Sequence, residues 1–213
     1  MQIKMWHGGR KWDGAPEIRP SKRGSAELGP GIYVSNFLER AVEYAKGGGC
    51  IREIVFSPRL ILEQTALSLS DACDFVTSVI VKSKQGGVIE KMIECAGRHS
   101  LEGRLLLGTD KQHLHAESLV NLCVNGDLAL GAKGQALAEF LVAQGVDCAF
   151  THRSGNEFWG TIYNPKCIDS YEKRLASTVD LSQKELPSPL AQLEIQRVKS
   201  SRIILPHEQS PAF

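Results

Sequence analysis

The run GPGIYVSNFLERAVEYA, residues 29–45, decides the fold. Gly29-Pro30-Gly31 reads as a tight turn, since glycine and proline each fix a backbone geometry that regular elements refuse. Ile32-Tyr33-Val34 follows as a short strand. Asn36 is placed to cap a helix running to about Lys46, with Phe37, Ala41, Tyr44 and Ala45 on one face. The glycines at 47–49 end it, because a helix exit often needs the left-handed backbone. A strand turning directly into a helix calls for a sheet with helices packed on it.

Working outward, Ile3 to Trp6 reads as a strand running into His7-Gly8-Gly9, and residues 10–30 as a loop rich in glycine, proline and charge. Cys50 to Phe56 alternates apolar and charged residues, as a strand does, and Pro58 stops it. From Ser70 to Gly145 the spacing predicts helices over Asp71–Lys84, Val88–His99, Leu114–Val124 and Gln135–Ala143, separated by glycines at 86–87, 108, 126, 131 and 134. Val146 to Thr151 returns to a strand pattern, His152–Asn156 makes a polar loop, and Glu157–Tyr163 forms a further strand closed by Asn164-Pro165. Strands, then helices, then strands imply an α+β fold whose sheet is assembled from both ends of the chain. Residues 175–213 read as a tail, with a docking helix from Pro189 to about Ser200.

The chain's 213 residues, 42% of them hydrophobic, suffice for one substantial core. A net charge of +1 argues against coating nucleic acid by bulk electrostatics. Residues 1–60 nevertheless hold ten Lys/Arg against six Asp/Glu, a local balance of +4 that suits an anionic ligand. The six cysteines show no C-x-x-C pair, as expected of reduced thiols in a cytoplasmic protein rather than a disulfide framework or zinc site. The stretch MQIKMWHGG lacks the apolar run of a signal peptide and no 18-residue apolar run occurs for a membrane span, so a cytoplasmic location is expected. His113-x-His115-x-Glu117 falls on an expected helix, where residues two apart face away from each other, so no metal site is expected there.

HGG at 7–9, GPGIY at 29–33, AVEYA at 41–45 and NEFWGTIYNP at 156–165 carry the chemistry. Together they resemble the diphtheria-toxin-like, His-Tyr-Glu branch of ADP-ribosyltransferases, which includes the poly(ADP-ribose) polymerases. The resemblance covers roughly residues 1–60 and 135–170. It implies a split-sheet catalytic domain over residues 1–174, with residues 66–133 as a helical insertion. It also implies NAD as co-substrate, no metal, and transfer of ADP-ribose to a protein or nucleic-acid acceptor. A bacterial or phage toxin paired with an antitoxin protein, or a phage-defence enzyme, would fit that description.

Breaking the nicotinamide–ribose bond builds positive charge on the sugar, and a carboxylate beside it stabilises that charge. The resemblance gives this role to Glu157. It gives His7 a hydrogen bond to the adenosine ribose and the Gly8 backbone a bond to the carboxamide. Tyr33 and Tyr44 would then sandwich the nicotinamide ring. Arg19, grouped with Arg10, Lys22 and Arg23, would clamp the pyrophosphate. His152, Arg153 and Asn156 would line the acceptor loop. Two departures stand out. Ala41 replaces the serine that binds the carboxamide in the polymerases, leaving Ser35 or Asn36 as substitutes. Gly155 occupies the position where arginine-modifying toxins carry Glu or Gln. The alternatives are an NAD glycohydrolase and a non-catalytic module that binds NAD, ADP-ribose or a partner.

Overall fold

The computed structural model describes residues 2–9, 12, 14–22, 26–46, 48–97, 99–101, 104–106, 111–126, 128–178 and 195. In chain order the elements are β1 (Ile3–Gly9), β2 (Ile32–Ser35), α1 (Leu38–Ala45), β3 (Cys50–Phe56), β4 (Leu60–Ile61), β5 (Ala66–Ser68), α2 (Leu69–Val79) and α3 (Lys82–Cys95). They continue with β6 (His99–Leu101), β7 (Arg104–Leu106), β8 (His113–His115), α4 (Ala116–Asn125), α5 (Gly131–Ala143), β9 (Val146–Ser154), β10 (Glu157–Ile162) and β11 (Ile168–Leu175). The fold is α+β, with five α-helices among the described residues and a seven-stranded mixed sheet in the order β11-β3-β1-β2-β10-β9-β4. Strands from both ends of the chain interleave in that order. Among the described residues only β4 and β9 run parallel. The β1–β2 ladder is narrow, with Trp6 opposite Ser35, whereas β1 and β3 pair along their whole length.

Strand alternation divides the side chains between two faces. On one face Ile3, Met5, Val34, Ile54, Phe56, Phe150 and Phe158 share a buried cluster with Trp12. On the other, Trp6 and Ile51 pack under Leu38, Ala41 and Ala45 of α1. Beyond them the helices α2 to α5 share a core with Val146, Ala149 and Tyr163. Contact between α1 and β1 is so close that a Cβ on Gly8 would stand 1.7 Å from the Ala41 carbonyl oxygen. Gly8 is therefore glycine because the backbone of α1 lies on it.

The main expectations for element type hold, and the differences have local causes. The helix expected from Asp71 to Lys84 ends at Val79, because Ile80 is extended and a new helix begins at Lys82. Gly86 and Gly87, read as separators, lie inside α3, which buries Met92 and half-buries Val88 and Ile89. Gly131 and Gly134, also read as separators, lie within α5. His113 and His115 sit on strand β8 rather than on a helix. Alternate residues there share a face, yet among the described residues no group of three His, Cys, Asp or Glu is placed to hold a metal. The polar stretch His152–Ser154 continues β9, so the expected loop shrinks to a turn at Gly155-Asn156, with Gly155 at φ +52°. Asn36 does not cap α1, which starts after Phe37 without a side-chain cap. Strand β11 was not expected; its side chains are mostly exposed, so no apolar pattern announces it.

The expected tail helix lies outside the described residues except for Ile195, which is buried in the cluster of Ile3 and Phe56. All six cysteines are free thiols. No helix among the described residues is long and apolar enough to cross a membrane.

Candidate functional site

A cleft of about 390 Å³ opens on the α1 face of the sheet. Gly8 of β1, Tyr33 and Ser35 of β2, Ala41 and Tyr44 of α1, and Trp159 of β10 line it, with Arg19, Arg40 and Arg153. Its volume lies within the range of pockets that hold cofactor-sized ligands.

Two phenols build the wall at residues 26–31. Tyr33 donates from its hydroxyl to the Gly29 carbonyl at 2.8 Å and accepts from the Leu28 N–H at 3.2 Å. Tyr163 donates to the Leu28 carbonyl at 2.5 Å. Gly29, at φ +82°, adopts the left-handed conformation that this turn requires. Burial pushes the Tyr33 phenol up to about 12, so it stays a neutral donor at physiological pH. Tyr44 is 53% exposed at the rim, its ring edge-on to Trp159 at 6.1 Å between centroids.

Glu157 begins β10 just behind the lining. Its carboxylate is gripped by Arg40 through both oxygens, Nε to Oε1 at 2.8 Å and an Nη to Oε2 at 3.1 Å. Trp159 donates from Nε1 to Oε1 at 2.6 Å. The Arg40 hydrogen bonds, aided by Trp159, outweigh burial and hold the Glu157 carboxyl below the usual carboxylate range. Arg40 also pairs with Glu43. Arg153 lies 3.9 Å over the Trp159 ring and pairs with Glu27 on the opposite wall. A β-bulge produces this placement: Glu157 is opposite Ser154 and Phe158 opposite His152, which leaves Arg153 as the extra residue.

Of the residues singled out in the sequence, Gly8, Arg19, Tyr33, Ser35, Tyr44 and Arg153 meet at the cleft, with Glu157 one hydrogen bond behind it. Three others point elsewhere. His7 alternates with Gly8, so its ring lies on the Ile3–Met5 face, edge-on to Trp12 at 4.9 Å. His7 Nδ1 and the Tyr33 carbonyl oxygen are 2.7 Å apart; a carbonyl can only accept, so Nδ1 carries the proton. Burial pushes the His7 pKa down, and the ring ties β1 to β2 as a neutral donor. His152 turns back to the Gly155 carbonyl at 2.7 Å and sits against Phe158. Asn156 is exposed, and its carbonyl accepts from Asn36 Nδ2 at 2.8 Å. Ser35 Oγ accepts from the Phe37 N–H at 3.0 Å, so its hydroxyl already shapes the entry to α1. Arg19 is exposed and paired with Glu17, while Arg10 and Arg23 lie outside the described residues.

Arg40 and Trp159 were not singled out in the sequence. Trp159 carried a usable signal: two residues after Glu157 on one strand, it shares the face of that carboxylate. Arg40 precedes Tyr44 by one helical turn, but nothing local joins it to a residue 117 positions away.

No family model matches the chain, and no curated protein matches it. The crystal structure of an anti-CRISPR protein aligns with 82% of this chain and 96% of its own, at 15% sequence identity and a TM-score of 0.34. A likeness at that score carries no argument about fold or activity.

Proposed function

We propose that the chain is a mono-ADP-ribosyltransferase that cleaves NAD at the nicotinamide bond and passes ADP-ribose to a protein or nucleic-acid acceptor. One observation carries the reading: residues from β1, β2 and α1, named in advance for NAD binding, line a single cleft with Glu157 at its back. The Gly8 backbone, two tyrosines and flanking guanidinium groups suit a carboxamide, a flat ring and a pyrophosphate respectively. In this reading the C–N bond breaks with its electron pair leaving on nicotinamide. Glu157 stabilises the cationic ribose, and the acceptor supplies the new bond and loses a proton. His7 acts here as a brace between strands rather than as a ribose contact.

A non-catalytic NAD-binding module is the second reading. It is favoured by the engagement of both Glu157 oxygens. The deciding experiment measures nicotinamide release from NAD by the purified chain, with and without a cell lysate as acceptor source. Release that requires lysate, and falls at least about 100-fold in Glu157→Ala, supports the transferase. Release without an acceptor makes it a glycohydrolase. Binding without release makes it a module.

A further inference from the structure

The three arginines of the cleft share one arrangement. Arg19, Arg40 and Arg153 line it, and each is held by a carboxylate: Arg19 by Glu17, Arg153 by Glu27, and Arg40 by both Glu157 and Glu43. Of those carboxylates Glu27 lines the cleft itself, Glu17 and Glu43 are exposed, and Glu157 stands behind the lining. Arg40 is the most committed of the three. Its fork spans a carboxylate whose side chain is 11% exposed, while its own side chain is 36% exposed. A planar guanidinium fork matches a phosphate as well as it matches a carboxylate.

Trp159 adds the second half of the observation. It bonds Oε1 of Glu157, whereas Arg40 alone among the described residues is seen on Oε2. If the guanidinium leaves, the carboxylate stays anchored through Oε1 and Oε2 is released facing the space that Arg40 vacates. We infer that Arg40 is an anion-exchange residue: a diphosphate group entering the cleft takes its fork, and the same movement uncovers Oε2 of Glu157. Arg40 is thus a positioning residue that keeps the carboxylate neutralised until an anionic ligand arrives. The exchange itself needs only the geometry described; its use in freeing a carboxylate for ribose chemistry rests on the transferase reading.

Competition between the two anions fixes the sign of each effect. Glu157 and the diphosphate contend for one fork, so removing the Glu157 charge must tighten diphosphate binding. Removing the fork must weaken it. The test is calorimetric titration of inorganic pyrophosphate into the full chain, its Arg40→Ala, Arg40→Lys and Glu157→Gln variants, with circular dichroism confirming that each is folded. Arg40→Ala is expected to bind at least about tenfold more weakly, with Arg40→Lys between it and the parent, because lysine keeps the charge and loses the fork. Glu157→Gln is expected to bind about threefold to tenfold more tightly. A structural strut would give only the smaller, salt-screened gain that removing any nearby negative charge gives. Unchanged affinity in Arg40→Ala, or no gain in Glu157→Gln, overturns the inference; should Arg40→Ala not fold, Glu157→Gln and Arg40→Lys decide it. A chain that shows the exchange yet leaves NAD intact keeps the anion site and discards the transferase. One that cleaves NAD with no gain in Glu157→Gln does the reverse.

Discussion

Glu157 is held by geometry that also sets its titration. Arg40, first among the causes, depresses its folded-state pKa against the opposing pull of burial. A depressed carboxylate contributes stability above its unfolded pKa, about 4.3, and loses that contribution as pH falls through the lower folded value. The parent chain should therefore outlast Glu157→Gln in urea at neutral pH, and the gap should close below about pH 4. A gap that is constant with pH would mean that the Arg40 pair contributes nothing to folding. Asn36 carries a second residue-scale prediction. Its side chain donates to the Asn156 carbonyl and accepts from the Phe158 N–H, both at 2.8 Å, and it is fully buried. Asn36→Ala leaves a buried N–H without its acceptor and should cost about 2 kcal/mol, read as a lower denaturation midpoint.

Elements were legible wherever local pattern and tertiary role agreed. GPGIY and the apolar face of α1 announced themselves because turn chemistry and helical period both lie within the quoted stretch. Strand β11 was hidden: Asp169, Ser170, Glu172 and Lys173 are all exposed, and it exists only because β3 offers a free ladder. The polar end of β9 was hidden likewise, since backbone pairing with β10 and not burial makes it a strand. At the site, single-residue motifs found the cleft wall, but the partners of Glu157 arise from contacts between distant segments. Helix α3 shows the converse error, in which glycines predicted a break that packing overrides. That yields an element-scale prediction. A Cβ at Gly86 or Gly87 would meet nothing within 4 Å, and neither has a positive φ. Gly86→Ala and Gly87→Ala should each stabilise the chain by about 0.5–1 kcal/mol in thermal unfolding. Destabilisation by either would show that α3 needs backbone freedom there.

At the scale of the whole molecule, the question is whether the helical layer and the sheet unfold together. Their cores are separate clusters, yet β9 serves both: Val146 and Ala149 belong to the helical core, while Cys148 and Phe150 belong to the sheet cluster. One strand thus couples the two, and tearing the helices away would uncover residues of a strand that β10 and β4 still hold. The thiols report on this directly. Cys123 lies in the helical core and Cys148 in the sheet cluster; both are buried, with burial pushing Cys123 up to about 12 and Cys148 well above its ordinary value. Neither should react with a thiol reagent in the native state, because the thiolate is the nucleophile. Half-buried Cys73 and Cys95 should label first. Under increasing urea, Cys123 and Cys148 should then become reactive at the same midpoint, read by peptide mass after a short labelling pulse, as a single cooperative transition requires. If Cys123 labels at clearly lower urea than Cys148, the helical layer opens on its own, and the cleft wall it helps to form at Ala129 would open with it.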